Sequence, residues 1–349
     1  MERVDITKIF EIKTKEEFNT LTLEIFHLQA KSCEVYREYI ELLGIDSDRI
    51  GSIEEIPFLP IRLFKQHNIA TLDKSNRCYT NGADTPQITF TSSATTGMTP
   101  SRHLVYDPEL YRESFTRGFN LFYGNPRDYT ILALLPSYLE RKGSSLVYMA
   151  DSLIKSSDSV HKSEVERGGF YLYNYKELYD KLCLLKNEGK KCILLGVSFA
   201  LLDFIKEFRI EFPDLTVIET GGMKGRGKEI AREELHSILK QGFGVENIHS
   251  EYGMAELMSQ AYSNGKGIFY TVPWMKIIIR DMYNPLKYVT TGEEKRGIKG
   301  GINIIDLANI NSCSFIESED MGELTACGGF MIHGRIKEAE LRGCNLLIE

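Results

Sequence analysis

A run of hydroxyl-bearing residues is the part of the chain best suited to hold phosphate. Residues 88–103 read Ile-Thr-Phe-Thr-Ser-Ser-Ala-Thr-Thr-Gly-Met-Thr-Pro-Ser-Arg-His, an apolar strand pattern followed by serines, threonines, a glycine and a proline. Hydroxyl groups and free backbone amides donate hydrogen bonds to phosphate oxygens, and Gly97 lets the backbone approach closely. Arg102 adds a charge that can pair with phosphate. The residues predicted to bind phosphate are Ser92, Ser93, Thr95, Thr96 and Gly97.

The same segment also has a plain structural interpretation. Most loops rich in serine and threonine are solvated turns, and taken alone the segment fits such a turn as well as it fits a phosphate site. It is not a Walker A loop, because it lacks the glycine spacing and the Gly-Lys pair of that motif. Only other parts of the sequence can distinguish a phosphate site from a solvated turn.

Four later segments carry the other groups that a nucleotide needs. Residues 218–225 read Ile-Glu-Thr-Gly-Gly-Met-Lys-Gly, and the glycines let a flat ring or a phosphate lie against the backbone. Residues 248–256 read Ile-His-Ser-Glu-Tyr-Gly-Met-Ala-Glu, which offers a ring for adenine and then a carboxylate of the kind that Mg²⁺ binds. An aspartate in 315–324 and an arginine in 329–337 flank turn glycines and could contact ribose. The predicted residues are Gly221, Gly222, Tyr252, Gly253, Glu256, Asp320 and Arg335.

Each of these segments is commonplace alone, as a turn before a helix, a helix start or a charged turn. In this order and at these separations, however, the chain resembles the adenylate-forming superfamily of acyl-CoA synthetases, luciferases and peptide-synthetase adenylation domains. That superfamily carries a Thr-Ser-Ser-Gly-Thr-Thr-Gly-x-Pro-Lys loop, a Tyr-Gly-x-Thr-Glu motif, a Thr-Gly-Asp motif and a Gly-Arg hinge. The resemblance extends from Gln87 to the end of the chain.

Within the superfamily, the chain resembles the LuxE acyl-protein synthetases of the bacterial fatty-acid reductase complex. The resemblance rests on the Thr-Gly-Gly-Met-Lys-Gly segment, the Arg-Gly-Cys-Asn sequence near the C-terminus and the shortness of the chain. It implies that ATP and Mg²⁺ activate a carboxylic acid, a medium or long fatty acid, as acyl-AMP. The acyl group would then pass to a cysteine and on to a LuxC-like acyl reductase partner. The implied catalytic residues are Cys344, Glu256 as the Mg²⁺ ligand, and Arg102.

Cys344 is the cysteine whose surroundings best suit acyl transfer. Arg342 lies two residues away, and a nearby guanidinium favours the thiolate of a group whose free pKa is about 8.5. A lone cysteine is more often packed in a core, and this remains the plain interpretation. Cys313 and Cys327 are less attractive because they lie inside the predicted nucleotide-facing subdomain.

The chain departs from the superfamily pattern at three positions. Ala94 replaces a loop glycine, Ser101 stands where lysine is usual, and Ala255 replaces the threonine of the Tyr-Gly-x-Thr-Glu motif. Arg102 or His103 could then supply the charge of the missing lysine. Members of the superfamily carry a mobile C-terminal lid domain after the Gly-Arg hinge, whereas only fourteen residues follow Arg335 here. We therefore expect the lid domain to be missing or vestigial. Because that domain forms part of the CoA channel, a protein acylase is expected rather than a CoA ligase.

Three other functions stay open at the level of sequence. The chain could be an acyl- or aryl-CoA ligase. It could be a thioesterase of the α/β-hydrolase type, because Gly196-Val-Ser-Phe-Ala follows a strand pattern and Ser198 would be the nucleophile, with His236, His249 or His333 as the base. It could also be a non-catalytic adenylate-binding subunit, since Ala94, Ser101 and Ala255 are what decay of the site would produce. In the favoured interpretation, Gly196 and Ser198 line the acyl pocket instead.

The elements that position these residues can be predicted from periodicity. From Gln87 onward, apolar strand patterns alternate with helical ones, which predicts an α/β body with parallel strands, and after Gly265 the chain becomes β-rich. Residues 12–43 carry helical periodicity that stops at Gly44. The predicted strands are Tyr129–Leu135, Cys192–Val197, Leu215–Glu219, Ile277–Ile279, Gly301–Ile305 and Gly322–Leu324, and the predicted helices are Pro108–Phe122, Tyr175–Asn187, Phe199–Phe208 and Glu229–Gln241.

The expected fold class is α/β, with a body like that of adenylate-forming enzymes and a β-rich C-terminal subdomain. We divide the chain into residues 1–80, a helical segment packed on the body; 81–265, the α/β core; and 266–349, the β-rich subdomain with a short tail. A net charge of −7 argues against a general nucleic-acid binder. No secretory signal is visible in the sequence, and no apolar run is long enough for a bilayer. The seven cysteines form no Cys-x-x-Cys pair, so a reduced cytoplasmic protein is expected.

Overall fold

A computed structural model of the chain describes residues 6–75, 77–92, 99–136, 143–159, 163–221, 230–289 and 297–336. In chain order the helices are α1 (Lys15–Ser32), α2 (Glu34–Leu42), α3 (Leu63–Gln66), α4 (Pro108–Tyr123), α5 (Ser145–Ser157), α6 (Tyr175–Asn187), α7 (Ser198–Glu207) and α8 (Arg232–Phe243). The strands are β1 (Leu59–Pro60), β2 (Ile88–Thr91), β3 (Arg102–Val105), β4 (Thr130–Leu134), β5 (Gly169–Tyr171), β6 (Cys192–Val197), β7 (Leu215–Thr220), β8 (Ile248–Tyr252), β9 (Ala261–Ser263), β10 (Met275–Arg280), β11 (Lys299–Asp306), β12 (Phe315–Leu324) and β13 (Phe330–Arg335).

The helical periodicity of residues 12–43 corresponds to two helices rather than one. The chain leaves the helical conformation at Cys33, whose backbone pairs with that of Thr71 in an isolated antiparallel bridge. That contact comes from a distant part of the chain, so the helical pattern does not reveal it. The stop at Gly44 is confirmed, since this glycine has φ +69°.

A six-stranded sheet forms the centre of the α/β body. Its order is β5-β4-β6-β7-β8-β9, and all neighbours are parallel except β8 and β9. The predicted strand Cys192–Val197 and helix Tyr175–Asn187 match β6 and α6. The parallel arrangement brings the carboxyl ends of β6, β7 and β8 to one edge of the sheet, which is where open α/β folds bind ligands.

The two faces of this sheet carry different layers. Glu219, near the end of β7, contacts Ser198 of α7 and His236 of α8. The next residue, Thr220, points to the opposite face and donates a hydrogen bond to Glu251 of β8. Helices α7 and α8 therefore cover one face near this edge, and the Thr220–Glu251 pair lies on the other.

A second sheet is formed by the C-terminal part of the chain together with a short N-terminal strand. Its order is β1-β12-β11-β10, with β13 also paired to β12, and β1 runs parallel to β12. The amide of Gln29 donates to the carbonyls of Asn309 and Ile310 and accepts from the backbone N–H of Ser314. Residues from the N-terminal segment are thus anchored on the β-rich part, while the boundaries at 80 and 265 stay a prediction.

Strands β2 and β3 form a separate antiparallel hairpin whose connection is the predicted phosphate loop. Phe90 on β2 packs its ring against Tyr111 of α4 and Tyr148 of α5, with centroid distances of 5.2 and 5.7 Å. This aromatic contact fixes the base of the loop on the α/β body. No described helix is long and apolar enough to cross a membrane.

Candidate active site

The base of the predicted phosphate loop is closed by two serines. The backbone N–H of Ser92 donates to the carbonyl of Ser101 at 3.2 Å, and the N–H of Ser101 donates to Ser92 Oγ at 3.0 Å. Ser92 Oγ accepts in this contact, so its own O–H remains able to donate to a phosphate oxygen. The loop residues Ser93, Thr95, Thr96 and Gly97 lie outside the described residues, as do Ala94, Gly222 and Cys344.

Glu256 lies buried beside the end of this loop, with 6% of its surface exposed. Burial raises the pKa of its carboxyl, and the neighbouring Ser101 hydroxyl and the charges of Lys65 and Arg335 offset part of that rise. Ser101 Oγ is itself buried and has no partner of good hydrogen-bond geometry among the described residues. A buried carboxyl beside an unpaired hydroxyl leaves polar groups that an Mg²⁺ ion with phosphate and water ligands could satisfy.

His103 joins the loop hairpin to the turn that carries Glu256. Its Nδ1 lies 2.8 Å from the carbonyl oxygen of Ala255, and its Nε2 lies 3.0 Å from Asn309 Oδ1. Asn309 Nδ2 donates to the carbonyl of Glu256 at 2.8 Å. Burial lowers the pKa of His103 to about 4, and the two oxygen acceptors that face its ring nitrogens oppose that fall. Arg102 is the exposed basic side chain that begins β3.

Asp306, at the end of β11, holds the other side of the same turn. Its Oδ2 accepts the backbone N–H groups of Met258 and Ser259 at 2.8 and 3.0 Å, and its Oδ1 accepts the Ser259 hydroxyl at 2.6 Å. Burial raises the pKa of Asp306 to about 6 despite these donors. The turn bearing Glu256 is therefore fixed from two directions, by His103 and Asn309 and by Asp306.

Three of the residues predicted for adenine and ribose come together where the end of β8 in the first sheet meets β12 and β13 of the second sheet. The Tyr252 hydroxyl donates to Asp320 Oδ2 at 2.8 Å, and Arg335 Nε lies 4.0 Å from Asp320 Oδ1. The Tyr252 ring is mostly buried and packs edge-on against Phe269 and Phe330. Burial raises the pKa of Asp320, and Tyr252 and Arg335 oppose that rise.

Two predicted glycines have structural reasons to be glycine. Gly221 directly follows β7 and has φ +75°, a conformation that residues with a Cβ avoid. A Cβ on Gly253 would lie 2.3 Å from Glu251 Oε1, so the carboxyl of Glu251 occupies the space beside this residue.

Ser198 lacks the surroundings of a hydrolase nucleophile. Its hydroxyl is buried and donates to Glu219 Oε2 at 2.9 Å, while His236 contacts the other oxygen of Glu219. A nucleophile elbow holds its serine in a strained turn, whereas among the described non-glycine residues only Lys266 has positive φ. Gly196 is needed for packing, since a Cβ there would lie 2.6 Å from Leu201. The described contacts give Ser198 a structural role.

Sequence reasoning missed the residues that support the site rather than face the ligand. Asp306 and Asn309 belong to a strand end and a short 3₁₀ turn that have no motif of their own. The one available signal was Asp306, a carboxylate that directly follows the apolar pair Ile304-Ile305 in β11. No group of three or more histidine, cysteine, aspartate or glutamate side chains that could hold a metal occurs within the described ranges, and Mg²⁺ does not require one when phosphates supply the other ligands.

The sequence of residues 8–349 matches the family of LuxE acyl-protein synthetases. The chain belongs to this family. No curated protein has significant similarity to the chain. This LuxE-family chain is similar in structure to 2-hydroxyisobutyryl-CoA ligase with a bound acyl-adenylate, with TM-score 0.62 and 13% identity over 92% of this chain and 67% of the ligase.

The family member also resembles ATP-bound MatB from Rhodopseudomonas palustris, with TM-score 0.52 and 14% identity over 71% of this chain and 47% of MatB. The chain thus spans about half the length of the MatB structures that it matches. At these identities the likeness concerns the fold, and the α/β prediction with a fold like that of adenylate-forming enzymes is confirmed.

Proposed function

We propose that this LuxE-family chain activates a carboxylic acid with MgATP and transfers the acyl group to its own Cys344. An oxygen of the acid attacks the α-phosphorus of ATP, a C–O–P linkage forms, and pyrophosphate leaves. A fatty acid is the substrate class that the family suggests, and an acyl reductase is the partner that would receive the acyl group.

The observation that carries this proposal is the contact between His103 and Ala255. The hairpin with the predicted phosphate loop and the turn with Glu256 are 152 residues apart in sequence, yet His103 Nδ1 lies 2.8 Å from Ala255 O. A loop rich in hydroxyl groups and a buried carboxyl held beside it are the two sides that a metal-bound triphosphate requires. Without this contact, the two motifs would be separate turns.

Each group has a role in this first step. Ser92 and the loop after it would hold phosphate oxygens, and Arg102 would offset their charge. Tyr252, Asp320 and Arg335 would hold adenosine, with Gly221 and Gly222 against the base. Glu256 would hold the Mg²⁺ ion, which when bound neutralises phosphate charge and favours departure of pyrophosphate.

The second step would form a thioester. The Cys344 thiolate attacks the acyl carbon of acyl-AMP, a C–S bond forms, and the bond to the phosphate oxygen breaks to release AMP. Arg342, two residues away in sequence, would favour the thiolate. The proton of the thiol leaves to solvent, so the balanced products are acyl-enzyme, AMP and a proton.

The test is acid-dependent exchange of radioactive pyrophosphate into ATP, followed by mass measurement of the intact protein. We expect exchange with some acids and a mass increase equal to the acyl group. Cys344→Ala should keep exchange and lose the mass increase, while Glu256→Gln should lose exchange. Covalent acylation of Cys344→Ala would refute the assignment of the acceptor.

The same assay separates the other functions. A CoA ligase would form acyl-CoA and AMP when CoA is added, with no acyl-enzyme at Cys344. A thioesterase using Ser198 would hydrolyse thioesters without ATP. A non-catalytic subunit would bind ATP and catalyse no exchange with any acid.

A further inference from the structure

An irregular stretch of β12 carries Asp320, the aspartate predicted to contact ribose. Regular pairing between β11 and β12 is interrupted between Gly301 and Asn303. Across this interruption, Ile302 of β11 alone lies opposite residues 318–320 of β12, so β12 forms a β-bulge here. Bulges bend a strand and redirect its side chains, and they are common beside active sites.

Arg280 of β10 joins the two strands at this bulge. The residue is only 5% exposed, and its guanidinium crosses β11 over Gly301, where a Cβ would collide with it. Its Nη1 donates to the carbonyl of Ile302 at 2.8 Å and to Asn303 Oδ1 at 2.9 Å. Its Nη2 donates to the carbonyl of Ser318 at 2.7 Å. Two nitrogens of one planar group therefore hold both sides of the bulge.

Ser318 connects this guanidinium to Asp320. The carbonyl of Ser318 accepts from Arg280, and its hydroxyl donates to the carbonyl of Ile302 at 2.8 Å. The same hydroxyl oxygen accepts the backbone N–H of Asp320 at 3.2 Å. The backbone that carries the Asp320 carboxylate is thus fixed through Ser318 by a side chain of another strand.

The Asp320 carboxylate lies where the two sheets meet. Its Oδ2 accepts the Tyr252 hydroxyl at 2.8 Å, and its Oδ1 is 4.0 Å from Arg335 Nε, which is too far for a hydrogen bond. The side chain of Asp320 is 18% exposed. Tyr252 therefore holds one carboxylate oxygen, and a ribose hydroxyl that donates to the other would complete the hydrogen bonding of the group.

We propose that Arg280 is a positioning residue for nucleotide binding, because it holds the β12 bulge in the shape that presents Asp320 to the ribose of ATP. Without the guanidinium, the carbonyls of Ile302 and Ser318 would lose buried donors, and the bulge would shift to recover partners. Recognition of the ribose hydroxyls would then weaken, whereas binding of the phosphates would remain. This inference rests on the nucleotide site of the proposed function and deepens it.

The test compares the binding of MgATP, Mg-2′-deoxyATP and Mg-3′-deoxyATP to the full chain by titration calorimetry. We expect the wild type to bind ATP at least about tenfold more tightly than one of the deoxy analogues, because a charged acceptor would lose its donor. Arg280→Met keeps the apolar stem and removes the donors, so this ratio of affinities should fall to about threefold or less. Partial unfolding would reduce the binding of all three nucleotides in equal proportion and leave the ratio unchanged.

Three further variants separate geometry from charge. Arg280→Lys keeps the charge without the planar fork and should lower the ratio as Arg280→Met does. Ser318→Ala keeps the guanidinium, removes the acceptor of the Asp320 N–H and should also lower the ratio, so it tests the same connection if Arg280→Met does not fold. Lys276→Met is the control, since Lys276 lies on the same strand with its ammonium 5.7 Å from the centre of the Phe18 ring, and it should leave the ratio unchanged.

A double variant tests whether Arg280 acts through Asp320. Asp320→Ala should bring the ratio near one by itself. Adding Arg280→Met to Asp320→Ala should lower the ratio no further, because both changes remove the same recognition of ribose. A further fall in the double variant would mean that Arg280 acts on the nucleotide by another route.

The outcomes distinguish this inference from the proposed function when pyrophosphate exchange is measured on the same proteins. A ribose preference that depends on Arg280, without exchange for any acid, would leave the inference standing and refute the proposed activation. Exchange by a wild type that binds ATP and both deoxy analogues equally would overturn the inference alone. A wild-type ratio in Arg280→Met, Arg280→Lys or Ser318→Ala would also overturn it.

Discussion

Glu219 and Glu251 are buried carboxyls on neighbouring strands whose pKa values move in opposite directions. Burial would raise the pKa of Glu219, but the hydrogen bond of His236, the charge of Arg232 and a hydrogen bond from Ser250 lower it overall. For Glu251, burial and the nearby charge of Glu219 raise the pKa, and only the hydrogen bond from Thr220 lowers it. The pKa of Glu251 therefore rises to about 7. The pKa values differ because the two side chains have different partners, since both carboxyls are buried.

This difference predicts a pH-dependent gain of stability in Glu251→Gln. A carboxyl whose pKa is higher in the folded than in the unfolded state stabilises the fold at low pH, and that stability is lost as pH rises from 4.5 to about 7. Gln stays neutral, so the variant should exceed the wild type by on the order of 3 kcal/mol at pH 8 and by much less at pH 5. Urea unfolding at the two pH values measures the change.

Glu219→Gln is the matched control because its sign is reversed. The lowered pKa of Glu219 gives stability that is present at neutral pH and lost as pH falls, so this variant should be less stable than the wild type at pH 8. A pH-independent effect in both variants would contradict the electrostatic account of these strand ends.

At the scale of elements, the β2–β3 hairpin and the turn that carries Glu256 form the predicted binding site for MgATP. His103 of β3 and Asn309 hold the carbonyls of Ala255 and Glu256. We expect His103→Ala to raise the KM for MgATP about tenfold, a loss of about 1.4 kcal/mol in binding, because the Glu256 turn would lose its fixed distance from the loop. The KM for the acid should change little. Steady-state exchange kinetics at varied Mg²⁺ measure both constants.

Asparagine at this position gives a conservative test of the role. His103→Asn keeps a donor near Ala255 O and should recover most of the affinity for MgATP. A merely structural defect would lower the amount of active protein and leave both KM values unchanged. Equal changes in the KM for MgATP and for the acid would argue against a role specific to the metal side.

The periodicity of apolar residues predicts helices and strands well where the pattern depends only on residues close in sequence. The limits of β6 and α6 follow from continuous apolar and amphipathic runs, and both match the structure. The break at Cys33 did not follow, because it accompanies backbone pairing with Thr71. The site shows the same limit: the motif of Tyr252 is visible in sequence, whereas the support of Glu256 by His103 depends on a contact across 152 residues.

At the scale of the whole molecule, the N-terminal segment completes the second sheet. Strand β1 pairs with β12, and Tyr288 donates a hydrogen bond to the carbonyl of Ile56. Thr71 Oγ1 donates to the carbonyl of Ser312. These contacts join the first helices to the strands that carry Asp320, so we expect them to unfold as one cooperative unit.

Gln29 is the residue in which this coupling can be tested. Its buried amide pairs with two carbonyls and one N–H in residues 309–314. Gln29→Leu would remove the partner of the Ile310 carbonyl and of the Ser314 N–H, whereas the Asn309 carbonyl would keep the N–H of Ser312. At about 1–3 kcal/mol for each unpaired buried group, partly offset by the apolar side chain, we expect a loss on the order of 3 kcal/mol. Gln241→Leu, at an exposed position on α8, is the control and should change stability little. Calorimetry should give one unfolding transition for both variants, shifted down only in Gln29→Leu. A separate early transition in Gln29→Leu would mean that the N-terminal segment folds apart from the β-rich sheet, because one lost anchor would then release the segment alone.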